Sequence, residues 1–188
     1  MNTDKHRCRA LALGLQLAAF SLFLSGCSVL PEPQADTVRY FTLSGAPAGA
    51  PAADAVVVRP VRLAGHLRNR NMAVRVGENE VAYLDGVRWA EPLDEAITQV
   101  LRNRLRQVGG GASVVVQIQR CELDRVAGNQ VRLEATYTIT PPAGEPRPGV
   151  FTAKPRPWGG GDHGSLVGLL GEAVAELAGA IATAAGEK

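Results

Sequence analysis

The sequence predicts a single α/β or α+β domain behind a removable leader. Two segments repeat apolar residues at helical spacing, about six or seven short stretches are rich in β-branched residues, and the two kinds are partly interleaved along the chain. No internal repeat divides it further.

The leader comes first. Lys5, Arg7 and Arg9 precede an apolar run at 10–24 that reaches only roughly 22 Å as a helix, against about 30 Å of bilayer hydrocarbon. A positive start, an apolar middle and small residues at the end make a secretory signal peptide. Leu24-Ser25-Gly26-Cys27 resembles the lipobox of bacterial lipoproteins, which implies cleavage between Gly26 and Cys27 and acylation of the Cys27 thiol. The alternative is an ordinary cleaved signal with an incidental cysteine. Acyl chains of the lipoprotein kind would anchor the chain without crossing the membrane. The expected organisation is therefore a signal peptide at 1–26, a lipidated tether at 27–36 and one domain at 37–188.

Removing the leader changes the electrostatic balance. The whole chain has 20 Lys plus Arg against 18 Asp plus Glu, a net charge of +2, but Lys5, Arg7, Arg9 and Asp4 lie in the discarded part. The mature chain is formally neutral. Its overall charge gives no reason to expect nucleic acid, and an electrostatic partner would be read by a local patch. Cys8 leaves with the leader and Cys27 is committed to acylation, so Cys121 stands alone. An internal disulfide is excluded.

Pro31 and Pro33 extend the tether. "RYFTL" is the first expected strand, and the glycine- and proline-rich "SGAPAGAPAAD" interrupts regular structure. "AVVVRPVRL" alternates Val56 and Val58 with Val57 and Val61, but Pro60 cannot donate to a ladder, which places that half at an edge or outside the sheet. "NMAVRV" and "EVAYL" follow around a turn at Gly77 and Asn79, and Asp85-Gly86 is a tight-turn pair. The first helix is expected in "EPLDEAITQVLRNRLRQVGGG", with Leu93, Ile97, Val100, Leu101, Leu105 and Val108 on one face. Pro92 suits its first position, Asp94 and Glu95 its positive end, and Arg102, Arg104 and Arg106 its negative end, while Gly109–Gly111 stops it. "SVVVQIQRCELDR" and "QVRLEATYTIT" make a hairpin around Gly128-Asn129, "VFTAK" is a last strand, and Leu166, Leu170, Val174, Leu177 and Ile181 mark the second helix.

"YFTL", "VVVRPVRLAGHLRNRNMAVRV", "YLDGVRWAEPLDEAITQVLRNRL", "VVVQIQRCELD" with "VRLEATYTI", and "DHGSLVGLLGEAVAELAGAIA" together resemble the ABC-type transport auxiliary lipoproteins, also called PqiC-like or membrane integrity-associated transporter subunits. Tyr83, Arg88, Trp89, Pro92 and Leu93 carry the most specific part. The resemblance implies a three-layer domain with a mixed β-sheet and two main helices. It also implies a non-enzymatic outer-membrane subunit that works with an inner-membrane ABC transporter and a periplasm-spanning MCE-domain protein to move phospholipids or other hydrophobic molecules. A homo-oligomeric ring would suit the end of such a tunnel. Ser28 after the cysteine favours the outer membrane by the usual lipoprotein sorting rule. Arg68, Arg70, Tyr83, Arg88 and Trp89 are the candidate partner surface. Cys121 stands where an aromatic is expected, and "LAGHLRNRN" lacks the expected proline-tyrosine character.

Other residues invite chemistry and have plainer explanations. Asp162, His163 and Ser165 are the types of a hydrolytic triad, but neighbours this close are poorly placed to converge, and Asp or Ser there caps the helix. "GGGDHGS" lacks the lysine of a phosphate-binding loop. Cys121 is a small hydrophobe beside Ile118 and Leu123, or else a reactive thiol. His66 and His163 lack clustered metal-binding partners. No cofactor, metal or catalytic residue is assigned. Arg59, Arg62, Arg68, Arg70, Arg75 and Arg88 make the 59–88 stretch basic, either solvating strands and loops or facing lipid headgroups or an acidic partner. Trp89 is a core or staple residue, or a contact residue.

Overall fold

The computed structural model describes residues 37–43 and 49–186. Within them one mixed sheet of nine strands carries two helices. Strand β1 (Arg39–Phe41) opens the sheet, followed by β2 (Val57–Val58), β3 (Arg62–Leu63), β4 (Asn71–Arg75) and β5 (Val81–Trp89). Helix α1 (Leu93–Leu105) leads to the long β6 (Ser113–Asp124) and β7 (Gln130–Thr140) hairpin, then β8 (Arg147–Thr152), β9 (Arg156–Pro157) and helix α2 (His163–Gly186). The main path is β1-β5-β4-β6-β7-β8, with β2 and β3 on β6 and β9 on β7.

The helical stripes form as their spacing predicts. Leu93, Ile97, Val100, Leu101 and Leu105 of α1 and Leu166, Leu170, Val174, Leu177 and Ile181 of α2 are buried, and Val108 lies just beyond α1. They pack on the face of the sheet carrying Met72, Val74, Val114, Val116, Ile118, Leu123, Leu133 and Ile139. Helix α2 is long and apolar enough to cross a membrane by length and composition, yet its stripe is the core of this domain.

Three local expectations are revised. Asp85-Gly86 does not close a turn: β5 runs through it as one strand, and Gly86, at φ 69°, sits in the irregular stretch between the Ala73–Tyr83 and Asn71–Arg88 pairs. Pro92 lies just before α1 rather than as its first residue, accepting through its carbonyl from the Ala96 N–H. "AVVVRPVRL" is two short parallel pieces on β6, interrupted at Pro60. That interruption leaves the Val61 N–H outside the ladder, and Thr98 Oγ1 accepts it at 3.0 Å while donating to the Asp94 carbonyl at 2.6 Å.

Layering follows from which face is wet. Both helices share one face, and on the other Val57, Val115, Gln117, Thr136, Thr140 and Val150 are exposed. Among the described residues a 3-10 turn, Gly65–Arg68, connects β3 and β4. Leu67 of that turn is buried, and His66 points over the charged part of the sheet.

Candidate interaction face

Strand β6 changes its apolar phase. Val114, Val116 and Ile118 occupy even positions in the core, whereas Cys121 and Leu123 occupy odd ones. A bulge between Ile118 and Arg120 against β7 absorbs the difference, since Gln119 is the extra residue. Arg120, Glu122 and Asp124 consequently line the face away from the helices, beside Glu134, Arg132 and Gln130 of β7 and Arg75 of β4.

These side chains form a network. Glu122 is fully buried, and its Oε1 accepts from Arg75 Nε at 2.7 Å and Arg120 Nε at 2.9 Å. Arg120 also donates to Asp124 Oδ2 at 2.8 Å and Glu134 Oε1 at 3.4 Å. Arg132 approaches Asp124 at 3.8 Å. His66 Nε2 lies 3.4 Å from Glu122 Oε2, and the hydroxyl of Tyr83 donates to the His66 carbonyl at 3.0 Å, holding the turn down. Glu122 was not anticipated from the sequence, where its only signal is the even-to-odd phase switch in "VVVQIQRCELD".

The electrostatics follow from this geometry. Burial alone would raise the Asp124 carboxyl, but the Ala127 amide, Arg120 and Arg132 outweigh it and hold the group below the usual carboxylate range. Burial alone would lower the Arg120 guanidinium, yet hydrogen bonds to Glu122 and Asp124 and their charges, with that of Glu134, raise it. Cys121, on the core face, is pushed up to about 12 by burial and by the Glu122 charge. Its thiol is a buried hydrophobe, not a thiolate nucleophile.

The predicted residues fall in separate places. Trp89 is 3 % exposed and belongs to the core, so among the candidate surface residues it is corrected to a structural one. Tyr83 and Arg88 are half-buried on the charged face, while Arg68, the last residue of the 3-10 turn, and Arg70 just after it are exposed. Asp162 receives Arg39 at 3.0 Å and hydrogen bonds from the Gly164 and Ser165 amides; the Arg39 bond, then the Gly164 amide, lower its carboxyl. The Ser165 hydroxyl donates to the Asp162 carbonyl at 2.6 Å and accepts from Trp158 Nε1 at 3.0 Å, while His163 packs on Trp158. This is a helix start, not a triad. Among the described residues no group of three His, Cys, Asp or Glu side chains could hold a metal. Cys27 and Gly26 lie outside the described residues.

What the geometry defines is an α/β sandwich with one helix-covered face and one open face stitched by buried ion pairs. The chain belongs to the ABC-type transport auxiliary lipoprotein component family, whose model matches residues 41–182. Two solved structures share the fold. Protein XCC0632 from Xanthomonas campestris, a DUF330 protein, superposes with a TM-score of 0.62 at 13% identity, covering 76% of this chain and 92% of that one. A second, titled an uncharacterized protein, gives 0.64 at 14% identity, with 77% and 95% covered. No curated protein matches the chain.

Proposed function

We propose that the protein is a lipid-anchored, non-enzymatic accessory subunit of an MCE-type ABC transport system. In this reading it resides on the periplasmic side of the outer membrane and helps transfer phospholipids or other hydrophobic molecules between the membranes. The observation that carries the reading is the family match across residues 41–182, joined to the lipobox ending at Cys27. Acyl chains at Cys27 would moor the domain through a tether of about ten residues, long enough for roughly 33 Å of travel. Arg68 and Arg70, with Tyr83 and Arg88 behind them, form the surface assigned to the periplasm-spanning MCE partner. A homo-oligomeric ring would let several copies surround that partner's end.

Affinity purification of the tagged native lipoprotein in mild detergent tests the assembly. Co-purification of an MCE-domain protein is expected, and its absence favours a structural envelope lipoprotein with no transport role. Intact-mass measurement tests the anchor separately. A Cys27 bearing no acyl group, or a Cys27→Ser variant still held in the membrane fraction, overturns it.

A further inference from the structure

The arginines of this domain differ in whether they are paired. Arg39, Arg75, Arg120, Arg132 and Arg156 all form ion pairs within the chain. Arg59, Arg62, Arg68, Arg70, Arg102 and Arg106 form none among the described residues. The first five of these six are exposed and Arg106 is half-buried. They lie along one margin, because β2 and β3 follow each other along β6 and α1 runs beside them.

Two grooves occupy that margin. One, of about 390 Å³, lies between Val61–Leu63, Arg68–Arg70 and the start of α1. The other, of about 350 Å³, lies between Val56–Val58 and Gln99, Arg102, Asn103 and Arg106. Arg102 Nε donates to the Val58 carbonyl at 3.2 Å, fixing that arginine at the sheet edge. Six cations without an ion pair among the described residues thus share one concave margin, while Arg88, Arg104, Arg125 and Lys154, which form none either, are dispersed elsewhere in the fold.

We propose that this margin is a docking groove for an acidic segment of a partner protein. Three observations favour a polypeptide over a bilayer surface. The margin is grooved rather than flat. Of the exposed large hydrophobics among the described residues, only Val57 lies in it, whereas Tyr40, Val115, Val126 and Val150 lie elsewhere, so apolar side chains for interfacial insertion are sparse there. Glu91 and Asp94 line one groove, where they repel a continuous anionic surface but are accommodated by spaced carboxylates. Guanidinium groups suit such partners because their planar donors grip carboxylates in pairs. That the partner is the MCE component rests on the reading above; the acidic chemistry does not.

The test uses the full lipoprotein in its native envelope, with a photo-crosslinking amino acid at position 62 or 102 in the grooves, or at Thr152 on the open sheet face. Crosslinks from 62 and 102 to an Asp- and Glu-rich segment of another protein are expected. The Arg59→Glu, Arg68→Glu, Arg70→Glu triple variant should lower their yield about tenfold, and reversing the partner's acidic residues to lysine should restore it. Circular dichroism of the triple variant should match the parent, since all three sites are exposed. An MCE partner captured only from Thr152 refutes the groove and keeps the transport reading. A different acidic protein captured from the groove keeps the groove and refutes that reading. Crosslinks to phospholipid or to a second copy, no crosslinks, or a yield indifferent to charge reversal, overturns the proposal and leaves these arginines as guards of an exposed sheet edge.

Discussion

Strand β6 is two different strands joined at Gln119. Its first half alternates in the usual way for a sheet with one wet face: Val114, Val116 and Ile118 are in the core, while Val115 and Gln117 are exposed. In its second half Cys121, Glu122, Leu123 and Asp124 are all buried, although no helix among the described residues covers the outer face there. The covering comes from arginines. The stems of Arg75, Arg120 and Arg132 and the ring of His66 close over Glu122 and Asp124, and their heads supply the counter-charges. A sheet face can therefore be dried by its own ion pairs, at the cost of making each member dependent on the others.

That dependence gives the largest expected effect. Glu122→Gln keeps the volume but removes the charge that Arg75 and Arg120 share, leaving Arg75 without its anion and Arg120 with only Asp124 and Glu134. Losing one partner of a buried pair costs about 3–5 kcal/mol, and because both arginines retain some solvent contact the loss should lie near about 3 kcal/mol. Urea denaturation measures it. A loss below about 1 kcal/mol would place this network with ordinary surface pairs and erase the contrast between the halves.

Acid titration is the next probe. Asp124 is held below its usual range in the folded state, so the unfolded chain binds its proton at higher pH. Its contribution is complete above the ordinary value of about 4 and disappears as pH falls through the depressed folded value. Melting temperature should drop between about pH 5 and about pH 2, and Asp124→Asn should flatten the drop while lowering stability at neutral pH. An unchanged slope in the variant would assign acid sensitivity to other groups. The thiol of Cys121 sharpens the same boundary: with its titration pushed up to about 12, labelling at neutral pH should require unfolding.

A smaller effect is expected at the interrupted edge. Thr98→Val leaves the Val61 N–H without its acceptor, and an unmet buried donor costs about 1–3 kcal/mol. The measured value should fall at the low end, because Val61 borders a solvent-lined groove.

How much of this was legible in the sequence divides along the same line. The helices and the β6–β7 hairpin rest on periodic burial, so their spacing was enough. Pro60 likewise showed a break through the backbone chemistry of one residue. The Asp85-Gly86 pair misled because a dipeptide that favours a tight turn also fits a bulge, and only the pairing of β4 with β5 decides between them. Trp89 was ambiguous because its burial depends on what packs across it. Glu122 was signalled only by the phase switch of β6, because its burial is created by residues from three other elements, Arg75, His66 and Arg132, and nothing local to "QRCELDR" announces them. The exposed arginines could be counted from sequence, but their sharing of one margin could not.

The smallest prediction concerns the first half of β6. Val115 is 41 % exposed and pairs across to Thr138 on β7, where Thr136 and Thr140 are also exposed. Val115→Thr exchanges a methyl for a hydroxyl that water can reach, on a strand position where both residues are favoured. Nothing buried is uncovered and no partner is orphaned. Stability should stay within about 0.5 kcal/mol of the parent. If the substitution cost as much as Glu122→Gln, the open half would have to be covered in solution by another surface, and the distinction between a wet half and a self-dried half would fail at its simpler end.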